Sequence, residues 1–173
     1  MSAALHLANS DDLDRVQPLV DASLHDARAA LAPAEVAVGA GAASRPSKRA
    51  QAAEAAEAAA RQKALLELLA GTPLGVIYLI GPRRSPIGFI ALSFGHSISR
   101  GGITGSVEEF YLRRALRGRG IGTEVLGNLL RALSSHGLRS LRVETEADAP
   151  GAGLFRRLGF REVADSRVLA RDL

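Results

Sequence analysis

Cysteine is absent from the 173 residues, which excludes a disulfide framework, a thiolate nucleophile and a cysteine-ligated zinc site. Aromatic residues make up only 4%. Surfaces that bind single-stranded nucleic acid stack bases on aromatic rings, so this scarcity argues against such a partner. No stretch reaches the roughly 18 consecutive apolar residues that a membrane-spanning helix requires. The opening M-S-A-A-L-H-L-A-N-S-D-D has neither a charged n-region nor an apolar h-region, so a cytoplasmic protein without a secretory signal is expected. The length suits a single domain over residues 1–173 with a sizeable core.

Basic residues outnumber acidic ones, 22 to 18, and the isoelectric point lies near 10.3. Arg113, Arg114, Arg117, Arg119, Arg156 and Arg157 are the residues a nucleic-acid-binding protein would use. Those near residues 117–122 are equally explained by a small polyanionic ligand, and the others by a solvated arginine-rich surface.

The densest chemical signal is Arg117-Gly118-Arg119-Gly120-Ile121-Gly122. It follows a strand-like Val107–Leu112 (V-E-E-F-Y-L) and opens a helix-like Thr123–Ser135. A glycine-rich turn leading into a helix leaves backbone N–H groups directed outward at the positive end of the helix dipole, where an anion such as a phosphate is favoured. Glycines allow positive φ and close backbone approach, and arginines match phosphate charge. The spacing is G-x-G-x-G, whereas the dinucleotide fingerprint has G-x-G-x-x-G, and no lysine follows as a P-loop demands. The pattern that fits is [QR]-x-x-G-x-[GA], with Arg117, Gly120 and Gly122.

That pattern resembles the coenzyme A-binding motif of the GNAT N-acetyltransferase superfamily, within the wider string F-Y-L-R-R-A-L-R-G-R-G-I-G-T-E-V-L; Arg114 stands where a proline is common. A second block, A-P-G-A-G-L-F-R-R-L-G-F over residues 149–160, resembles the later N-x-x-A-x-x-L-Y-x-x-L-G-F block of the same family. It reads as a short helix with Leu154, Phe155 and Leu158 on one face and Gly159 as a left-handed C-cap. The resemblance runs over about Leu74–Val163. It implies an α/β fold of the α+β type: a mixed, partly splayed sheet of about six or seven strands with helices on both faces.

The elements read along the chain agree with that order. Leu5 and Leu7 alternate with His6 as a first strand, and Asn9 or Ser10 caps a helix carrying Asp11, Asp12 and Asp14 in its first turns. Pro18 should bend that helix. Residues 32–47 read as a flexible linker within the domain. Lys48–Leu69 is rich in helix formers. Two apolar strands, Leu74–Ile80 and Pro86–Phe94, follow, then a polar connection His96–Gly105. Leu138–Thr145 is the strand after the cofactor helix, and Phe160 is expected to begin another.

The resemblance also implies a chemistry: direct acetyl transfer from acetyl-CoA to an amine, with no metal. Its cofactor residues carry over to Phe110, Tyr111, Leu112, Arg117, Gly118, Arg119, Gly120, Ile121, Gly122, Thr123, Asp148 and Phe155. The backbone N–H of Leu112 takes the oxyanion role. A general base is drawn from Glu109, Glu108 and Glu144. Because side chains alternate along a strand, Glu108 and Glu109 are expected on opposite faces. His96 is a lone loop histidine, a residue type that can serve as a base. Phe155 stands where the family often has a proton-donating tyrosine, Asp148 replaces an asparagine and Gly151 an alanine. Tyr111 is the nearest tyrosine that could substitute.

The implied acceptor is a small-molecule or peptide amine, with a homodimer as the default assembly and neither membrane nor nucleic acid as partner. The alternative is a catalytically degenerate GNAT domain that binds acyl-CoA as a sensor or interaction module.

Overall fold

The computed structural model describes residues 4–31, 47–145, 151–163 and 171. In chain order the strands are β1 (Leu5–Leu7), β2 (Gly75–Ile80), β3 (Gly88–Ser97), β4 (Gly102–Leu112) and β5 (Ser140–Val143). The helices are α1 (Leu13–Leu31), α2 (Lys48–Ala70), α3 (Ile121–Ser135) and α4 (Ala152–Arg157). The strands form one mixed sheet in the order β1-β2-β3-β4-β5, antiparallel throughout except for the parallel pairing of β4 with β5. Among the described residues no helix is long and apolar enough to cross a membrane.

Strand alternation sends the sheet's apolar residues to two separate cores. Ile77, Leu79, Phe89, Ala91 and Tyr111 pack with Val16 and Leu19 of α1 and with Leu65 and Leu69 of α2. On the opposite face Ile90, Leu92 and Val107 meet Leu126 and Leu129 of α3 and Phe155 of α4. Ile80, Leu112 and Val125 close the second face near the start of α3. Helices therefore cover both faces, as the resemblance implies.

Local signals explain where the elements begin and end. The Asn9 side chain accepts from the Asp11 N–H at 3.0 Å, and Asp12 reaches back to the Asn9 N–H at 3.3 Å, a reciprocal cap on the 3₁₀ turn Ser10–Asp12 that leads into α1. The buried Asp12 carboxyl also receives Arg15 at 2.8 Å and Arg83 at 3.4 Å. Burial alone would raise its pKa, but the Asn9 N–H and the two arginines together bring it below the ordinary value. The Ser47 hydroxyl accepts from the Ala50 N–H at 3.2 Å and caps α2. Gly137 and Gly159 take φ of +85° and +86° and end α3 and α4 in the left-handed conformation.

Three expectations change. The stretch His96–Gly105 is mostly hairpin: β3 runs on to Ser97 and β4 starts at Gly102, with Phe94 opposite Gly105 and Ser97 opposite Gly102. Its glycines and short polar side chains hide the pairing because this hairpin end projects beyond both cores and needs no apolar alternation. The helix after the glycine turn begins at Ile121 rather than Thr123. The strand expected from Phe160 is not formed over residues 160–163, and residues 164–170 lie outside the described residues. Residues 32–46 of the expected linker lie outside them too.

Candidate active site

The glycine-rich turn is built by two backbone positions that side chains would strain. Gly118 and Gly120 have φ of +75° and +82°, and a Cβ at either would meet nothing within 4 Å. Glycine is thus required by conformation, and the space above the turn is open. Gly120 is the N-cap of α3 and has no side chain to satisfy the first amides. The first helical hydrogen bond runs from the Glu124 N–H to the Gly120 carbonyl at 3.1 Å. The amides of Ile121, Gly122 and Thr123 precede it and lack intrahelical acceptors, as at any helix start. Gly122 is favoured for a different reason: a Cβ there would stand 3.1 Å from Leu154 and 3.4 Å from Phe110, so those side chains would have to give way slightly. The turn is an open, positively polarised surface suited to an anion.

Arginine charge is distributed unequally over that turn. Arg119 is exposed and has no ion pair among the described residues. The Arg117 guanidinium turns back on the protein, donating through Nε to the Leu112 carbonyl at 2.8 Å and through a terminal nitrogen to Asp26 of α1 at 2.6 Å. It also lies 5.3 Å from the centre of the Tyr111 ring. Arg114 reaches the other Asp26 oxygen at 2.9 Å. Partial burial would raise the Asp26 carboxyl, but the two arginines hold it below its ordinary value.

β4 is paired on both sides only in its first half. β5 accompanies it from Thr104 opposite Ser140 to Val107 opposite Val143. β5 ends at Val143, so from Glu108 to Leu112 no described strand pairs with β4 on that side. The Arg113 N–H donates to the Ile87 carbonyl at 3.0 Å, so by strand alternation the Leu112 amide is directed to the opposite, unpaired edge. The Leu112 side chain is buried in the core beneath α3. A backbone donor therefore lies on the edge of β4 that β5 leaves unpaired (the wedge beyond the end of β5), close along the chain to the glycine turn.

The carboxylates sit where this wedge opens. Register shifts between Ala91 and Leu92 of β3, which face Glu109 and Val107 of β4, so Glu108 is the extra residue of a bulge. The expected alternation fails here. Glu109 stands opposite Ala91, whose side chain joins the core under α1 and α2. Glu108 accepts a hydrogen bond of 2.5 Å from Ser93, two residues beyond Ala91 and on the same face. Both carboxylates thus project from one face of the sheet. Glu109 is exposed as a side chain, yet enough protein surrounds its carboxyl for desolvation to raise its pKa, and the adjacent Glu108 charge raises it further. Glu144 follows β5 directly and is exposed.

The remaining residues divide between the two faces. Tyr111 is buried against Phe89 and under Arg117, on the face that carries Glu109. Phe155 is buried on the other face, in edge-to-face contact with Phe110 at 6.5 Å and Phe160 at 5.3 Å. Asp148 lies outside the described residues. His96 lies on β3 near the hairpin end. Two participants escaped the sequence reading. Asp26 carries no signal beyond a carboxylate in a helix, and Ser93 acquires its partner only through the bulge.

Comparisons with known proteins fall on the same segment. The acetyltransferase (GNAT) family model matches residues 49–160. No curated protein matches the sequence. An integron cassette protein from the mobile metagenome of Cole Harbour Salt Marsh is 28% identical, with 98% of this chain and 90% of that chain covered and a TM-score of 0.64. A possible acetyltransferase from Clostridium difficile 630 is similar in fold at 13% identity, with 100% and 99% covered and a TM-score of 0.73. So is a ribosomal-protein-alanine N-acetyltransferase from Brucella melitensis biovar Abortus 2308, at 14% identity, 98% and 100% coverage and a TM-score of 0.65. The family match extends over more than half of the chain and takes in the whole strand–turn–helix unit, so the protein belongs to the GNAT acetyltransferase family.

Proposed function

We propose that the protein is an acetyl-CoA-dependent N-acetyltransferase that transfers the acetyl group directly to a primary amine of a small molecule or peptide. The observation that carries this reading is the unpaired edge of β4 beyond the end of β5, which presents the Leu112 amide and leads into the glycine turn at the start of α3. Acetyl-CoA would supply the activated acetyl group as a thioester. The fit is good on this chain's own features: open space above Gly118 and Gly120, free amides at Ile121–Thr123 and the exposed charge of Arg119 suit a pyrophosphate. Phe110, Tyr111 and Leu112 would line the wedge, with Phe155 packed behind Phe110.

Three roles follow. The Leu112 N–H is assigned to the thioester carbonyl oxygen, where a fixed donor strengthens as negative charge grows. Glu109 is assigned to remove the proton from the acceptor ammonium, because its raised pKa brings it closer to that task. Glu108, held by Ser93, adds negative potential that favours a cationic amine over a neutral one. Glu144 is the remaining carboxylate candidate. A cytoplasmic location, a single domain and a homodimer complete the reading.

One observation favours the second reading, an acyl-CoA-binding sensor. Phe155 is enclosed by aromatic rings and has no proton to give a departing thiolate. The two readings separate by isothermal titration with acetyl-CoA, followed by thiol release against a panel of amines that includes polyamines and N-terminal peptides. Binding with turnover supports the enzyme. Binding without turnover supports the sensor, and no binding rejects both.

A further inference from the structure

We propose that Asp26 and Arg117 form a positioning pair that fixes the end of β4 at Leu112 and ties it to α1, so that Arg117 serves the protein backbone and not the cofactor's phosphates. The inference rests on the acyl-transfer reading for its catalytic consequence, though not for its structural one. Arginine presents a planar fork, and here two of its three nitrogens are committed, Nε to the Leu112 carbonyl and one terminal nitrogen to Asp26, while its central carbon lies 5.3 Å from the centre of the Tyr111 ring. Arg114 holds the second Asp26 oxygen and stops the carboxylate from rotating away. The Asp26 side chain is 18% exposed and that of Arg117 45%, so solvent screens the charges in part, and it is the directed geometry of the contacts that fixes the pair.

The consequence lies one peptide upstream. The peptide plane between Leu112 and Arg113 is held from both ends, its carbonyl by Arg117 and its N–H by the Ile87 carbonyl at 3.0 Å. The preceding amide, that of Leu112, projects from an edge that β5 no longer supports. Without a neighbouring strand, its direction depends on how firmly the next peptide is held. Asp26 belongs to α1, which covers the face bearing Glu108 and Glu109. The pair thus links the helix over the amine side of the sheet to the amide on the thioester side.

The test uses the full chain with two substitutions. Asp26→Asn keeps shape and removes charge; Arg117→Lys keeps charge but cannot serve the Leu112 carbonyl and Asp26 from one planar group. Each should lower kcat about tenfold to a hundredfold, the cost of a small misplacement at a reacting centre, with KM for the amine little changed. The acetyl-CoA dissociation constant should stay within about twofold, and the double variant should be no worse than Arg117→Lys alone, because the residues act as one unit. Tighter acetyl-CoA binding in Asp26→Asn would overturn the proposal, since it would mean that Arg117, once released, belongs to the phosphates. Unchanged kcat in both variants would overturn it as well. A wild-type protein without turnover would end the enzyme reading and leave the proposal testable by amide hydrogen exchange. Faster exchange at the Arg113 N–H in Asp26→Asn, at an unchanged melting temperature, supports the pair, and unchanged exchange overturns it.

Discussion

α3 and α2 are both long helices against the sheet, yet α3 buries Val125, Leu126 and Leu129 along its length, while α2, with 23 residues, buries only Leu65 and Leu69 near its end. α3 also contributes the glycine turn and adjoins the aromatic cluster of Phe110, Phe155 and Phe160. α1 and α2 instead leave a cleft of about 460 Å³ between them, lined by Gln17, Asp21, Ala59 and Arg61 among others. The contrast separates two ways of making a helix. α3 is fixed by an apolar stripe, so its first turn can present amides in a constant direction. The first turns of α2 persist through alanine-rich propensity and a serine cap, and they leave a surface free to vary without disturbing the sheet.

The sharpest way to break the comparison is to place the same charge on both helices. Gly120→Glu puts a side chain at φ +82° and a carboxylate at the proposed pyrophosphate position, so acetyl-CoA binding should be lost in titration while circular dichroism stays native. Ala55→Glu on exposed α2 should leave affinity unchanged. Next in size is Glu109→Gln, for which kcat should fall by about 10²–10⁴, the range attributed to a positioned base. In the wild type kcat/KM should rise with pH along a limb centred above the ordinary glutamate value, because the folded pKa is raised. The same sign governs stability. A raised carboxyl pKa means that ionisation costs folding free energy, so Glu109→Gln should melt higher at neutral pH, and the gain should vanish below the unfolded pKa.

Packing tests are smaller. Leu126→Ala, at a fully buried position of α3, should cost about 2–5 kcal/mol in denaturant unfolding. Leu66→Ala on α2, where the side chain is 45% exposed, should change stability by no more than about 0.5 kcal/mol. Equal losses would show that α2 is held by packing after all. Between these two lies Phe155→Tyr: a hydroxyl among aromatic rings should cost about 1–3 kcal/mol if it finds no partner. A raised kcat would instead place that hydroxyl in the wedge as a proton donor.

Much of this was legible in the sequence, for identifiable reasons. The turn could be read because left-handed φ at Gly118 and Gly120 demands glycine, and that demand leaves a mark in the letters. The run Leu74–Ile80 could be read as a strand because it is apolar throughout, but for that same reason it shows no alternation, and only the structure assigns Ile77 and Leu79 to one core and Val76 and Tyr78 to the other. Features made by non-local geometry were not readable. A bulge at Glu108 changes no residue type, so the sequence implied opposite faces where the structure has one. The hairpin Ser97–Gly102 needs no apolar code because it extends past both cores. Asp26 meets Arg117 although the two stand 91 positions apart in the chain, a distance that no local pattern records.

The order of the sheet has a kinetic consequence. β2, β3 and β4 join their sequence neighbours as antiparallel strands, whereas β5 enters only after the chain has crossed over through α3. Contacts that close short loops form early, and parallel pairings across a long connection form late. During refolding the meander should zip up first and the seam between β4 and β5 last, so the chain should recover its sheet signal before it regains the capacity to bind its ligand.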